Sequence, residues 1–174
     1  MLKAFSKTAA RMAATATGVA ALACAVAALE PREAEAQATT HEVTVTVIRF
    51  KALDKADELS AGDFFVRMSA GGKAAFSPVL SGQNEFKPNW KLTLPIAAGK
   101  QSIKLALIDK DVTVDDPVDI NRMANKRDLD FTVDTKTGRI DGFAQPYKVG
   151  QTITRAGTET KKADISFKVD VKKK

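Results

Sequence analysis

The chain has 174 residues, a formal net charge of +6 and 44% hydrophobic residues. This length suits one domain of ordinary size with a sizeable core, and two domains are not expected. The single cysteine, Cys24, lies in the leader described below, so the rest of the chain has no disulfide and no thiol chemistry. Aromatic residues make up only 6% of the chain and do not alternate with the lysines, which argues against a nucleic-acid partner.

Residues 1–38 have the segment order of a secretory signal peptide. Three basic residues precede an apolar, alanine-rich run over 12–29, and A-x-A sequences end at Ala36 and at Ala38. This order predicts export and cleavage after one of these alanines. The alternatives are an uncleaved membrane anchor, for which the run is short and weakly apolar, and a lipoprotein signal at Cys24. We therefore expect an exported mature protein, residues 39–174, in the periplasm or outside the cell.

From residue 39 onward, short runs alternate apolar with polar residues and are separated by turn signals. Such alternation predicts strands with one buried face. Pro95 predicts that its strand ends there or lies at a sheet edge, and 120–127 suggests only a short helical turn. The pattern predicts an all-β fold, an antiparallel eight-stranded β-sandwich over 39–174. The predicted strands are 41–50, 64–68, 90–96, 103–108, 129–133, 147–154 and 163–171, with 76–80 as a weaker strand or a loop.

Two of the loops between these strands are rich in aspartate. The loop before the 64–68 strand contains three aspartates and a glutamate, and the loop after the 103–108 strand has five aspartates within eleven residues. Like charges held close together resist ordering unless the loop stays solvated or a multivalent cation neutralises it. Calcium takes about 6–8 oxygen ligands, mainly carboxylate and carbonyl. Two such loops at one end of a sandwich would form a shared cup, where bound calcium stabilises the fold.

These motifs, taken in order, resemble a C2 domain, the calcium- and lipid-binding β-sandwich of synaptotagmin and protein kinase C. The segment 61–66 (AGDFFV) stands where that family has S-D-P-Y-V, although the proline is absent. The segment 86–90 (FKPNW) keeps the proline and tryptophan of N-P-x-W. Asp109-Lys110-Asp111 is similar to the D-x-D of the third family loop, and the last strand is similar too.

The resemblance implies Ca²⁺ as the bound cofactor and implies no catalytic residue. The first loop would contribute Asp63 together with Asp57 or Asp54, and the third loop would contribute its D-x-D and one later aspartate. No run of lysines marks the strand that binds phosphoinositides in some relatives. The expected metal ligands are Asp57, Asp63, Asp109, Asp111, Asp116 and Asp119.

Apolar residues also interrupt the acidic loops, namely Val112, Val114 and Val118 in one and Leu59 in the other. They either enter the interface of a phospholipid membrane once calcium has cancelled the negative charge, or fold back onto the core. The sequence leaves both arrangements open.

The sequence thus predicts an exported calcium-binding module that docks to membrane lipid or to an envelope partner. The alternative is a calcium-independent periplasmic or extracellular module that binds a protein or a polysaccharide. An enzyme is not expected, because the one histidine, His41, is at the start of a strand and no G-x-S-x-G, H-E-x-x-H or phosphate-loop motif occurs.

Overall fold

The computed structural model describes residues 39–54, 62–112 and 114–174. The predicted signal peptide over 1–38 lies outside the described residues, and so do Asp57 and Leu59 of the first acidic loop. The described part of the chain contains strands, bridges, turns and bends but no helix. In these ranges, therefore, no helix is long and apolar enough to span a membrane.

Twelve strands form two antiparallel sheets in the described ranges. One sheet has the order β11-β12-β1-β4, with β5 also paired to β1, and the other has the order β10-β9-β8-β6-β2-β3, with β7 also paired to β6. The strands are β1 Thr39–Ala52, β2 Phe64–Ala70, β3 Lys73–Phe76, β4 Glu85–Phe86, β5 Trp90–Ala97, β6 Lys100–Asp109, β7 Asp116–Val118, β8 Leu129–Asp134, β9 Arg139–Asp141, β10 Tyr147–Lys148, β11 Thr152–Ala156 and β12 Ala163–Lys173.

The prediction of an all-β antiparallel sandwich is confirmed, with more strands than the eight expected. Four of the twelve, β4, β7, β9 and β10, have only two or three residues each, too few for an alternation to show in the sequence. Pro95 lies in β5, which pairs only with β1 among the described strands, so the predicted edge position is confirmed.

Inward-facing residues of both sheets form one hydrophobic core. Along β2, buried and half-buried residues alternate over the whole strand, as the sequence pattern requires. In β1 the alternation shifts, because a bulge between Val47 and Arg49 adds a residue to the pairing with β12. Phe50 is therefore buried, and its ring lies 5.4 Å from the ring of Phe64 and 5.8 Å from that of Trp90.

Two local predictions are wrong. Residues 120–127 form no helix. They contain a turn in which the Lys126 N–H donates to the Met123 carbonyl at 3.2 Å. The Asn121 side chain stabilises this loop by accepting a hydrogen bond from the Met123 N–H at 3.0 Å. The predicted strand 147–154 is two strands in different sheets, since β10 pairs with β9 and β11 pairs with β12. The turn between them contains Gly150 at φ 82°, a conformation that glycine adopts readily.

Candidate functional site

The described ends of the two acidic loops meet at one end of the sandwich. β2 begins where β6 ends, and the antiparallel pairing sets Phe64 opposite Asp109. The Asp63 N–H donates to Oδ1 of Asp109 at 2.8 Å, and the Asp63 carbonyl accepts from the Lys110 N–H at 2.7 Å. Asp63 and Asp109, 46 positions apart in the chain, therefore lie next to each other.

The β6–β7 hairpin adds two more aspartates to this end. Its pairing sets Asp116 opposite Asp109, and Asp111 lies in the connection between the two strands. Asp109 is 2% exposed, whereas Asp63, Asp111 and Asp116 are half-buried. We call these four residues the acidic tip. Each is one of the six ligands predicted from the sequence.

Gly62 lets the first loop approach the buried carboxylate of Asp109. A Cβ atom at this position would lie 2.8 Å and 2.9 Å from the two carboxylate oxygens of Asp109 and 2.6 Å from Cζ of Phe64. Non-bonded carbon atoms normally keep about 3.5–4.0 Å from their neighbours. Glycine at 62 is therefore needed for the hydrogen bond between Asp63 and Asp109.

A lysine from the loop before β12 lies among the acids of the tip. Nζ of Lys161 donates a short hydrogen bond to Oδ2 of Asp116. This hydrogen bond raises the pKa of Lys161, and the negative charges of Asp116, Asp111 and Asp109 raise it further against the opposing effect of burial. An ammonium group of the protein itself thus neutralises part of the acidic tip.

Its neighbour Lys162 contacts the segment just after β1. Nζ of Lys162 lies 3.7 Å from Oδ1 of Asp54. Asp54, Asp109, Lys161 and Lys162 together line a small cavity of about 10 Å³, close to the volume that one water molecule requires. Neither lysine was predicted from the sequence. Both come beside Asp54 and Asp116 through the antiparallel pairing of the first and last strands, which sets Ala52 opposite Ala163 and carries no local sequence signal.

The carboxylate of Asp119 has a different set of partners from those of the acidic tip, although the Asp119 N–H donates to the Lys161 carbonyl at 2.8 Å. It is completely buried, and its Oδ1 accepts from the Asn121 N–H at 2.9 Å. Its Oδ2 accepts from the N–H groups of Thr158 and Glu159 at 2.8 Å and 2.7 Å. The carboxylate thereby joins the loop after β7 to the loop after β11. Both oxygens of Asp119 thus accept backbone hydrogen bonds, and we leave Asp119 out of the proposed calcium ligands; its predicted metal role stays a prediction.

The donor atoms of the acidic tip fit calcium, because hard cations prefer carboxylate oxygen. In the ranges that the structure describes, however, no group of three or more His, Cys, Asp or Glu residues is arranged to hold a metal ion. The carboxylate of Asp116 contacts Lys161, and that of Asp109 is hydrogen-bonded to the first loop. One of the described carboxylates, that of Asp116, is thus paired with an ammonium group of the protein, and Asp57, another predicted ligand, lies outside the described residues.

The apolar residues of the third loop have two different environments. Val112 is fully exposed and Val114 is 72% exposed, whereas Val118 is 3% exposed and part of the core. The sequence left both environments open for these valines. The two exposed valines stand in the same connection as Asp111, so the tip presents apolar side chains beside its carboxylates.

The fold is that of a C2 domain. The first C2 domain, domain A, of plant extended synaptotagmin 1 matches with a TM-score of 0.56 and 13% identity, over 79% of this chain and 98% of that chain. The calcium-bound pair of C2 domains, A and B, of extended synaptotagmin 2 matches with a TM-score of 0.54 and 14% identity, over 78% of this chain and 46% of that chain.

Human GIVD cytosolic phospholipase A2 also matches, with a TM-score of 0.53 and 17% identity over 79% of this chain. The chain spans only 17% of that phospholipase. No protein-family model and no curated protein sequence matches the chain. At these identities the similarity establishes the fold alone.

Proposed function

We propose that the protein is an exported calcium-binding module of the C2 type that docks to phospholipid membranes through its acidic tip. One observation carries the proposal: two acidic loops that are distant in the sequence meet at one end of a C2 fold, with Asp63 hydrogen-bonded to Asp109. Calcium is the ion that the oxygen-only donor set favours. Export follows from the leader over 1–38.

Asp63, Asp109, Asp111 and Asp116 are the residues that would hold calcium. Bound calcium would supply positive charge that the tip lacks and would attract phosphate groups of lipids. Lys161 has to leave Asp116 for that carboxylate to turn to the ion. The buried Asp109, already fixed by the Asp63 N–H, keeps the two loops together during this exchange.

The exposed valines of the third loop support membrane docking. Val112 and Val114 present apolar surface where the neighbouring carboxylates would otherwise repel anionic lipid. Burial of apolar surface contributes about 25 cal/mol per Å², so two valine side chains add useful affinity once the charge is neutralised. Calcium and lipid are therefore expected to bind cooperatively.

Calcium titration followed by thermal unfolding tests the ion site. We expect calcium at about 100 times its Kd to stabilise the wild type by about 2.7 kcal/mol, and Asp109→Asn with Asp111→Asn to lose this shift. Asp141→Asn with Asp170→Asn removes the same charge elsewhere and should keep the shift. If the wild type and the tip variant melt alike with and without calcium, the calcium proposal is wrong.

A calcium-independent binding module is the second candidate, and the contact between Lys161 and Asp116 favours it. In that case the lysine is the permanent counter-ion of the tip, and no metal is needed. Equilibrium dialysis with radioactive calcium separates the two candidates. Binding that the tip variant abolishes supports the first, and absence of binding by the wild type supports the second.

The proposed export has its own test. Expression of the full chain in a bacterium, followed by fractionation and N-terminal sequencing, should recover protein from the periplasm that begins at Gln37 or Thr39. Recovery of a product beginning at Met1 from the cytoplasm would contradict export and would leave the calcium proposal untouched.

A further inference from the structure

A second candidate site is lined by residues outside the acidic tip. It is a cleft of about 320 Å³ between the turn after β7, the segment after β9, and β11. Pockets for small ligands begin at about 300 Å³. None of the acidic-tip residues lines the cleft, so the site is separate from the proposed calcium site.

Three cations line this cleft without carboxylate partners. Arg122, Lys126 and Arg155 form no ion pair with any acid in the described ranges. The one acid of the lining, Asp130, lies 3.9 Å from Nζ of Lys104 instead. Unpaired cations gathered in a concave surface concentrate field lines and attract anions.

The guanidinium group of Arg155 is held in place by its neighbours. Its Cζ lies 4.4 Å from the ring centroid of Phe143 and 5.3 Å from that of Tyr147. Its Nη1 donates to the Thr154 carbonyl at 2.9 Å and its Nη2 to the Tyr147 hydroxyl at 3.3 Å. A guanidinium has five N–H donors, so these two bonds leave donors for a ligand, and little rotational freedom remains to be lost on binding.

The Phe143 ring, against which Arg155 packs, itself packs on the hydrophobic core. The ring of Phe143 lies 5.5 Å from that of Phe131 and 6.5 Å from that of Phe167, both of which are buried. Leu129 and the 59% exposed Met123 add further apolar surface to the cleft. The site therefore combines a fixed planar cation, two further cations and an apolar wall.

We propose that this cleft binds a small organic phosphate, a phosphate monoester whose attached group is apolar. Arginine presents a planar fork that matches phosphate oxygens, and the exposed Arg122 and Lys126 would complete the charge needed for a dianion. The apolar part of the ligand would lie against Phe143, Leu129 and Met123. The proposal is independent of calcium and of the acidic tip.

NMR titration with phenyl phosphate in calcium-free buffer tests the site. We expect shifts of the Gly142 and Phe143 amides and of the Arg155 side-chain N–H, and weaker effects with inorganic phosphate, which lacks the apolar part. Benzyl alcohol, which lacks the charge, should leave these signals unchanged. If phenyl phosphate moves none of these signals, or moves surface lysine signals equally, the proposal is wrong.

Charge-neutralising variants make the test specific. Arg122→Gln with Lys126→Gln changes exposed side chains and should weaken phenyl phosphate binding about tenfold, or 1.4 kcal/mol, and Arg155→Gln should weaken it at least as much. The control, Lys87→Gln with Lys91→Gln, removes the same charge around β5, away from β11, and should leave binding unchanged. Equal weakening by the control would mean attraction by net charge alone and would overturn the site.

The phosphate could belong to a soluble metabolite or to a lipid headgroup, and two arms distinguish these sources. Monomeric dihexanoyl phosphatidic acid reports the soluble form, and vesicles of phosphatidic acid in phosphatidylcholine report the bilayer form. Shifts with the monomer that Arg155→Gln abolishes support a soluble ligand. Vesicle binding that the same variant abolishes, with no shift from the monomer, supports a headgroup site.

Discussion

Asp109 and Asp119 are two buried aspartates of one acidic loop whose carboxylates have different hydrogen-bond partners. Asp109 accepts a hydrogen bond from the Asp63 N–H and faces the charges of the tip. Asp119 accepts three backbone hydrogen bonds at 2.7–2.9 Å and joins two loops. At the residue scale, burial does not distinguish the two aspartates; the proposed role of Asp109 as a ligand rests on its place beside the other acids of the tip.

This difference predicts opposite behaviour of two equivalent substitutions. Asp119→Asn replaces an acceptor oxygen by an amide that faces backbone donors, so we expect it to destabilise the fold by about 2–3 kcal/mol. The calcium-induced rise in melting temperature should remain. Asp109→Asn should reduce that rise instead. Thermal unfolding of both variants with and without calcium measures the effect, and loss of the calcium shift in Asp119→Asn alone would reverse the two roles.

Gly62 supports a second prediction at the residue scale. Gly62→Ala would put a Cβ atom 2.8 Å from Oδ1 of Asp109, so either the first loop or the carboxylate must move. We expect destabilisation of about 1–3 kcal/mol, typical of overpacking, and weaker calcium binding. Urea unfolding and calcium titration measure the two effects.

Gly82→Ala is the control for a general loss of stability. A Cβ at Gly82 meets nothing within 4 Å, although the residue has a φ of 79°. The control should therefore lose some stability through backbone strain and keep its calcium affinity. Unchanged stability and calcium affinity in Gly62→Ala would contradict the close approach of the two loops.

Strands with uninterrupted alternation could be predicted from the sequence. β2 and most of β12 alternate buried residues with half-buried ones, and their predicted positions are confirmed. The bulge in β1 and the separation of β10 from β11 could not be predicted, because both depend on pairing with strands that are distant in the sequence. The local alternation of apolar and polar residues therefore predicts where a strand lies, but not which strand it pairs with.

In the candidate site, too, some features could be predicted from the local sequence and others depend on distant contacts. The proximity of Asp63 and Asp109 could be predicted from the sequence. Asp109 follows the predicted strand 103–108, Asp63 precedes the predicted strand 64–68, and the loops of a sandwich lie at its ends. Lys161 could not be predicted, since its contact with Asp116 spans 45 positions and depends on how the loop before β12 turns. The sequence pattern of the acidic loops carries no information about a distant cation.

The position of Lys161 leads to a prediction at the scale of elements. Lys161→Gln removes the ammonium that competes with calcium for Asp116, so calcium affinity should rise about three- to tenfold, worth about 0.6–1.4 kcal/mol. The calcium-free protein should lose at most about 1 kcal/mol, because the side chains are 38% and 37% exposed and water screens the pair.

Lys162→Gln is the matched control, since this neighbour pairs with Asp54 at 3.7 Å instead of with Asp116. It should change calcium affinity less than Lys161→Gln does. Isothermal titration calorimetry of both variants measures the difference. Weaker calcium binding in Lys161→Gln would indicate that the lysine supports the ion site and does not compete with it.

At the scale of the whole molecule, β1 and β12 set the distribution of charge. Their antiparallel pairing joins Ala52 to Ala163 near the acidic tip and His41 to Lys173 at the other end. The three terminal lysines, 172–174, therefore lie at the end opposite the acids. We call 172–174 the basic end; one of its lysines, Lys174, pairs with Glu42 at 2.9 Å, just as Lys161 pairs with Asp116 at the acidic tip.

The basic end and the acidic tip would bind an anionic membrane in different orientations. These two binding modes would respond differently to calcium. The basic end would bind without calcium and would be released as salt screens its charge. The acidic tip would bind only with calcium, and the apolar contact of Val112 and Val114 would resist salt. Docking through the tip therefore requires calcium dependence and salt resistance together.

Vesicle sedimentation distinguishes the two orientations. With vesicles containing phosphatidylserine, Val112→Ser with Val114→Ser should weaken calcium-dependent binding about tenfold, because apolar contact with the bilayer is lost while the acids remain. Val79→Ser, a substitution at a 39% exposed valine outside the tip, should bind like the wild type. Equal sedimentation of the double variant and the wild type would place the contact elsewhere. Binding without calcium that salt abolishes would assign it to the basic end.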